Sequence, residues 1–308
     1  MKILVTGGAG YIGSVLVSHL LNEGYHVTVY DKFDFGVDPI LPYLKNSNFD
    51  VFKGDIRDRN NINNFIKKSD VIIHLAAIVG YPACRKDPHL AKSVNFDGTK
   101  VISELTGKSQ IIFYGSTGSN YGSTEDICTE ETNLNPLSLY GQTKTMAENL
   151  LLEKNNCVAY RFATAFGISP RLRLDLLIND FSFRAITQGY VVVYESHFKR
   201  TFIHVDDIAR SWIFALKNIE KMNKQIYNIG SENLNFSKKE ICEKIKKKTS
   251  AYFYYADVGN DEDKRNYIVS YKKISKLGFD CKKTVNDGID EIIKVAKLIQ
   301  TRGQYSNA

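Results

Sequence analysis

The chain has no apolar run long enough to cross a membrane. Its longest, Val71 to Val79, is interrupted by His74 and falls far short of the ~20 residues a span requires. No signal peptide is expected at its start, because Ile3, Leu4 and Val5 give way at once to Thr6 and a glycine cluster, short of the apolar length of one. Its five cysteines (Cys84, Cys128, Cys157, Cys242 and Cys281) show neither close pairing nor metal-ligand spacing, so neither a disulfide framework nor a zinc site is expected. Reduced thiols follow. There is no internal repeat and no low-complexity tract. The cationic excess, 41 Lys and Arg against 34 Asp and Glu, is spread along the chain, so it suits an anionic ligand and offers no nucleic-acid-binding tail. The expectation is a soluble, cytoplasmic protein without bound metal, nucleic-acid partner or membrane partner.

What is present is ordinary globular composition, 43% hydrophobic and 24% charged over 308 residues, enough for two lobes or one large one. Short β-branched runs at Ile3 to Thr6, Tyr25 to Tyr30, Phe49 to Phe52, Val71 to Ala77, Gln110 to Tyr114, Val158 to Phe162 and Gln225 to Ile229 read as strands. Between them, helical patterns occupy Ser14 to Asn22, Asn61 to Lys67, Leu90 to Leu105, Tyr140 to Leu152 and Val205 to Leu216. Strands without polar alternation, separated by helices, predict an α/β fold: a doubly wound parallel sheet of about seven strands (a Rossmann sheet) covered on both faces. The irregular remainder suits a smaller C-terminal α/β substrate lobe. The expected division is 1–165 with 205–230 for the dinucleotide-binding domain and 166–204 with 231–308 for the lobe. The lysine run Lys246 to Lys248 reads as the wet face of a helix.

Thr6-Gly7-Gly8-Ala9-Gly10-Tyr11-Ile12-Gly13 follows the first strand and opens the first helix. Gly7 can adopt positive φ, Gly10 lets backbone approach a pyrophosphate, and Gly13 permits close helix–strand packing. The helix N-terminus then faces the phosphates, with Tyr11 and Ile12 in the same turn. Asp31 ends the second strand, near the spacing expected of a ribose-binding acid. A carboxylate there accepts from a free 2′-hydroxyl and repels a 2′-phosphate, which selects NAD over NADP, although Lys32 beside it partly offsets the repulsion.

Tyr140 and Lys144 stand four apart at the start of a helical pattern, so they share a face, and the ammonium is expected to lower the phenol pKa toward neutrality. A phenol so tuned is a general base for a sugar hydroxyl when a nicotinamide ring takes the hydride. The fifth strand ends in Phe113-Tyr114-Gly115-Ser116-Thr117-Gly118-Ser119, at the edge where such sheets bind ligands, so Ser116 or Thr117 can offer a hydroxyl to the same oxygen.

With these residues in place the chain resembles the extended short-chain dehydrogenases that act on nucleotide sugars, the NAD-dependent epimerase/dehydratase family. The matching motifs run from Gly7 to about Arg265. The resemblance implies NAD as cofactor, a nucleotide-diphosphate sugar as substrate and a homodimer built on the helices near 90–105 and 140–153. It places Asp55 and Ile56 near the adenine, and Leu75, Ala76, Ala77 and Asn95 along the cofactor. Thr117 and Tyr140 fall on the reacting hydroxyl, Lys144 on the nicotinamide ribose, and Asn179, Arg200 and Arg265 around the nucleotide diphosphate.

The family's chemistry begins with oxidation of a sugar carbon, usually C4. The Asp-Glu pair of its dehydratases is replaced after Thr117 by Gly118 and Ser119, the Glu of its decarboxylating members is missing there, and no cysteine lies between Ser116 and Gly122 for 3,5-epimerising chemistry. What remains is hydride transfer at C4 with Tyr140 as base, ending in epimerisation. The alternative is a net C4 dehydrogenase or reductase of a GDP-heptose-like sugar, because the segment Pro170 to Phe181 resembles a bacterial subgroup linked to surface-polysaccharide sugars. A more distant alternative is an NAD-sensing regulator without catalysis. His74 and His204 read as packed histidines, His89 is open, and Cys84 reads as an inert buried thiol.

Overall fold

A computed structural model describes residues 1–154, 156–257, 265–299, 301 and 303–307. Seven strands form one sheet: β1 (Lys2–Thr6), β2 (His26–Asp31), β3 (Phe49–Lys53), β4 (Val71–His74), β5 (Ile111–Thr117), β6 (Cys157–Phe162) and β7 (Gln225–Ile229). Their order is β3-β2-β1-β4-β5-β6-β7 and every pairing is parallel. The order reverses between β1 and β4, so a crevice opens above their carboxyl ends.

The apolar runs explain the layering. Ile3, Val5, Val71, Ile73, Phe113, Val158 and Tyr160 point to one face, where they meet helices α1 (Tyr11–Asn22) and α5 (Val205–Lys217) through Leu16, Leu20, Ile208 and Trp212. Trp212 lies between the rings of Phe113 and Tyr160, with centroids at 5.6 and 4.3 Å. The alternate residues Leu4 and Ile72 meet Ile62 and Ile102 of α2 (Arg59–Ile66) and α3 (Thr99–Leu105), while Ile112 and Ala159 meet Ala147 and Leu151 of α4 (Leu139–Leu152). Both faces are dry, so neither needs polar alternation.

A second core gathers Phe166, Ile178, Val191, Val193, Phe202, Ile241, Phe253 and Ile289. It is built from the parallel pair Tyr190–Tyr194 and Tyr252–Ala256, the strand Lys199–His204 between Thr164–Phe166 and Asn235–Ser237, and helices Leu177–Thr187, Lys238–Lys246 and Val285–Ala296. One stretch departs from the expected division: Tyr267, Val269, Tyr271, Ile274 and Phe279 pack into the large core. Strand Asn266–Val269 pairs in parallel with Ser123–Cys128, a pairing between segments 140 residues apart that local pattern does not reveal. That crossing carries Arg265 back to the end of β5.

The sheet is locked to α4 by a buried ion pair. Arg161 of β6 donates from Nε and Nη2 to Glu148, the shortest contact being 2.6 Å, with the side chains 4% and 0% exposed. Its Nη1 donates to the hydroxyl of Tyr121 at 3.0 Å and to the carbonyl of Glu130. Tyr121 in turn donates to Asn228 Oδ1 of β7. Removing one partner strands the other charge in a dry site, which typically costs about 3–5 kcal/mol. Arg161→Met is therefore expected to lower unfolding free energy by about that amount in urea titration, and an unchanged midpoint would show that the pair is not holding helix and sheet together.

Candidate functional site

The crevice above β1 and β4 is a cavity of about 350 Å³. Its floor is the turn from β1 into α1. Gly7 has φ 75°, and a Cβ there would lie 2.6 Å from the Ala76 nitrogen; a Cβ on Gly13 would lie 2.2 Å from the Gly7 carbonyl oxygen. Neither position tolerates a side chain. At Gly10 an added Cβ would face the protein only at the Gly7 oxygen, 3.1 Å away, so its free side is open to the cavity. α1 begins at Tyr11 with no side chain capping it, which leaves its first-turn donors and dipole for an anion. Tyr11 and Ile12 line the cavity, and the Tyr11 hydroxyl donates to the Gly167 carbonyl at 2.7 Å, joining this wall to the smaller lobe.

Asp31 stands at the end of β2 with its carboxylate already oriented: Oδ2 accepts from Ala9 N–H at 2.9 Å and Oδ1 from Phe33 N–H at 2.8 Å. Each oxygen keeps a lone pair for a ribose hydroxyl. Burial raises its pKa, and those two N–H bonds oppose the rise. Lys32 is paired with Asp34 at 3.2 Å. Asp55, Ile56, Leu75, Ala76 and Ala77 also line the cavity. The Asp55 carboxylate is held by Arg57, which keeps its pKa below the usual carboxylate range. Asn95 does not reach the cavity. It sits in the wide helical turn Ser93–Gly98, accepting from Ile78 N–H at 2.7 Å and donating to the Ile78 carbonyl at 3.0 Å, so it braces the loop that forms the wall.

At the other end, Ser138 caps α4 by accepting from Gly141 N–H, which puts Tyr140 and Lys144 on the first turns facing the end of β5. Thr117 donates its hydroxyl to Ser119 Oγ at 3.0 Å and accepts from Ser119 N–H at 3.1 Å. Ser116, Thr117, Ser119, Tyr140 and Lys144 all line the cavity. The expected acidification of the phenol is not what the protein alone produces. Burial pushes Tyr140 up to about 12, aided by the nearby Cys84 thiol and opposed by Arg173, the Thr117 hydroxyl and Arg265. Burial pulls Lys144 down to about 7, against the opposing charges of Glu148 and Cys84. Desolvation outweighs the pairing, and Lys144 Nζ lies over the Tyr114 ring at 4.1 Å.

The residues expected around a diphosphate separate. Arg265 lines the cavity and donates to Ser119 Oγ. Asn179 is fully buried: it accepts from Gly167 N–H and donates to the carbonyls of Gly167 and Arg173, pinning the 167–173 segment. Arg200 is 2% exposed, donates to the Lys199 carbonyl and does not line the cavity. The guanidiniums that do line it beside Arg265 are Arg171 and Arg173, which lie in the Pro170 to Phe181 segment without having been singled out. Arg173 is held by Asp175 in a bidentate pair, a two-residue spacing that offers no site signature in sequence. His74 bonds Thr6 and Thr99 and is pushed down to about 3 by burial, and His204 caps α5 and meets Glu291, so both are structural as read. Cys84 is buried and outside the lining, with its thiol pushed up to about 11. Among the described residues no helix is long and apolar enough to cross a membrane and no cluster of His, Cys, Asp and Glu could hold a metal.

Residues 3–230 match the family model for the NAD dependent epimerase/dehydratase family. The chain belongs to that family. It is an enzyme, and NAD is the cofactor that the glycine turn, Asp31 and the open side of Gly10 fit. A UDP-glucose 4-epimerase of Lactobacillus helveticus is 27% identical over 96% of each chain. A UDP-N-acetyl-alpha-D-glucosaminuronate decarboxylase of Bacillus cytotoxicus is 31% identical over 75% of each. The UDP-glucuronic acid 4-epimerase of Bacillus cereus, solved with UDP-glucuronic acid and NAD, superposes with a TM-score of 0.86 at 27% identity, covering 97% of this chain and 99% of that one.

In this family member the depressed Lys144 makes the stability of the cofactor-free protein depend on pH. Between about 7 and the ordinary lysine value near 10.5 the unfolded chain holds a proton that the folded chain does not, so stability contributed at this site rises with pH through that window. Relative to Lys144→Met, the parent is expected to gain stability from pH 7 to 8.5 in urea titrations. A difference that stays flat or falls would mean the ammonium is not desolvated.

Proposed function

We propose that this enzyme transfers a hydride at C4 of a nucleotide-activated sugar, with Tyr140 as the base and Thr117 holding the reacting oxygen, and returns it to the opposite face as a 4-epimerase. The observation that carries this reading is the distribution of acid/base groups in the cavity. Among the described lining residues the carboxylates are Asp31, Asp34 and Asp55, all beside β2 and β3. β2 lies three strand spacings from β5, roughly 14 Å at ~4.8 Å each. Among the described lining residues no carboxylate, histidine or cysteine accompanies Tyr140, so none of them offers elimination or decarboxylation a second acid or base.

When bound, NAD supplies the hydride acceptor and the positive charge of its oxidised ring. Tyr140 takes the proton of the sugar hydroxyl, and Thr117, which lines the same end of the cavity, holds that hydroxyl within reach. A phenol near 12 is a poor base, and added positive charge shifts it in the required direction, the same direction in which Arg173 and Arg265 act. Lys144 lies over Tyr114 on the nicotinamide side of the crevice, with a nitrogen free to donate to a ribose hydroxyl or to Tyr140. Arg265, with Arg173, supplies cationic forks for a diphosphate. A place in surface-polysaccharide sugar synthesis rests on the Pro170 to Phe181 resemblance. A homodimer would use α4 and the helical stretch 88–105, where Met146 is 42% exposed.

Tyr140→Phe is expected to keep NAD bound while turnover of a nucleotide sugar falls by about two or more orders of magnitude. Unchanged turnover on every UDP-, GDP-, CDP- and dTDP-sugar that the parent accepts would remove Tyr140 as the base. In the parent, exchange of configuration without net NADH supports the epimerase, whereas net cofactor reduction assigns the chain to a C4 dehydrogenase.

A further inference from the structure

Two walls of the cavity are joined by Arg171. Its guanidinium carbon lies 4.0 Å from the ring centroid of Phe35, in the loop that leaves Asp31. On its other side Nη2 donates to Asn307 Oδ1 at 2.8 Å and to the Ser306 carbonyl at 3.4 Å, and Nη1 donates to the Leu172 carbonyl at 2.6 Å. Phe35, Arg171 and Asn307 all line the cavity. The segment that carries Asn307 is itself anchored: the Tyr305 carbonyl accepts from Leu174 N–H at 2.7 Å, and Tyr305 packs on the cluster of Leu172, Leu174, Phe183, Ile292 and Ala296. On the opposite wall the Phe35 loop turns through Phe33 at φ 59° and Gly36 at φ 88°. Phe35 is 52% exposed, while Arg171 is only 4% exposed. A large ring left half in solvent thus meets, on its face, a cation that is otherwise shielded from water, the arrangement in which a cation–π contact is strongest.

We propose that Phe35, Arg171 and Asn307 form a clasp that closes over the adenosine end of bound NAD and retains the cofactor between turnovers. The inference rests on NAD binding, carried by family membership, and not on the C4 reading. Asp31 holds the ribose at the root of the loop that bears Phe35, so a dinucleotide seated there leaves only when the Phe35–Arg171 contact parts. Asn307 fixes the guanidinium plane from the far side.

The test is release of bound radiolabelled NAD into an excess of unlabelled NAD, compared for the parent, Phe35→Ala, Arg171→Met, Asn307→Ala and the Phe35→Ala/Arg171→Met double variant. Phe35→Ala and Arg171→Met are each expected to release NAD about ten-fold faster, Asn307→Ala several-fold faster, and the double variant no faster than the quicker single, because both remove one contact. Phe35 and Asn307 are peripheral to the cores, so thermal midpoints without NAD should match the parent and exclude misfolding as the cause. Release from either Phe35→Ala or Asn307→Ala within about two-fold of the parent overturns the clasp, as does additive acceleration in the double variant. Since release is read without turnover, an error in the assignment of Tyr140 leaves this result intact.

Discussion

The crevice of this protein exists because two pieces of backbone approach more closely than any side chain would allow. Gly7 packs against Ala76, and Gly13 against Gly7, so the first turn of α1 sits directly on the carboxyl ends of β1 and β4 at the point where the strand order reverses. The uncapped helix start, the Asp31 carboxylate at the end of β2 and the end of β5 are all displayed around that contact. A methyl group at either glycine would push α1 away and dissolve the relation between phosphate loop and reacting residues. Asn95 extends the same logic one loop further by clamping Ile78 on both its N–H and its carbonyl.

Burial governs the chemistry displayed there. The protein places a phenol, an ammonium and a thiol together where water is scarce, and desolvation moves each toward its neutral form: Tyr140 and Cys84 upward, Lys144 downward. The guanidiniums of Arg173 and Arg265 pull the phenol the other way without reversing it. The site is therefore responsive to charge brought in by its ligands, since each small addition acts in a low-dielectric corner. The Glu148–Arg161 pair one turn beyond Lys144 supports the same helix from behind, with Glu148 also favouring the ammonium.

Much of this was legible along the chain. All seven strands of the sheet lie where continuous β-branched runs predict them, with ends shifted by a few residues, because a strand buried on both faces has no alternative to being apolar throughout. The glycine turn, Asp31, Thr117, Tyr140 and Lys144 could be picked out along the chain because each belongs to a local spacing with a geometric meaning, and all of them line the crevice. Arg171 and Arg173 passed unselected, and Asn179 and Arg200 were assigned to a ligand although they hold backbone carbonyls. A polar side chain carries the same name in sequence whether its partner is a ligand or the chain itself.

Local order thus determined the periodicity, the turn chemistry and the i, i+4 pairing on α4, all of which depend on residues within one or two turns of each other. Tertiary structure alone decided which cations face the crevice, how far burial moves the phenol and the ammonium, and that strand Asn266–Val269 returns to Ser123–Cys128 to deliver Arg265. Those properties depend on desolvation and on contacts between residues more than a hundred positions apart, and neither has a signature in the order of the residues.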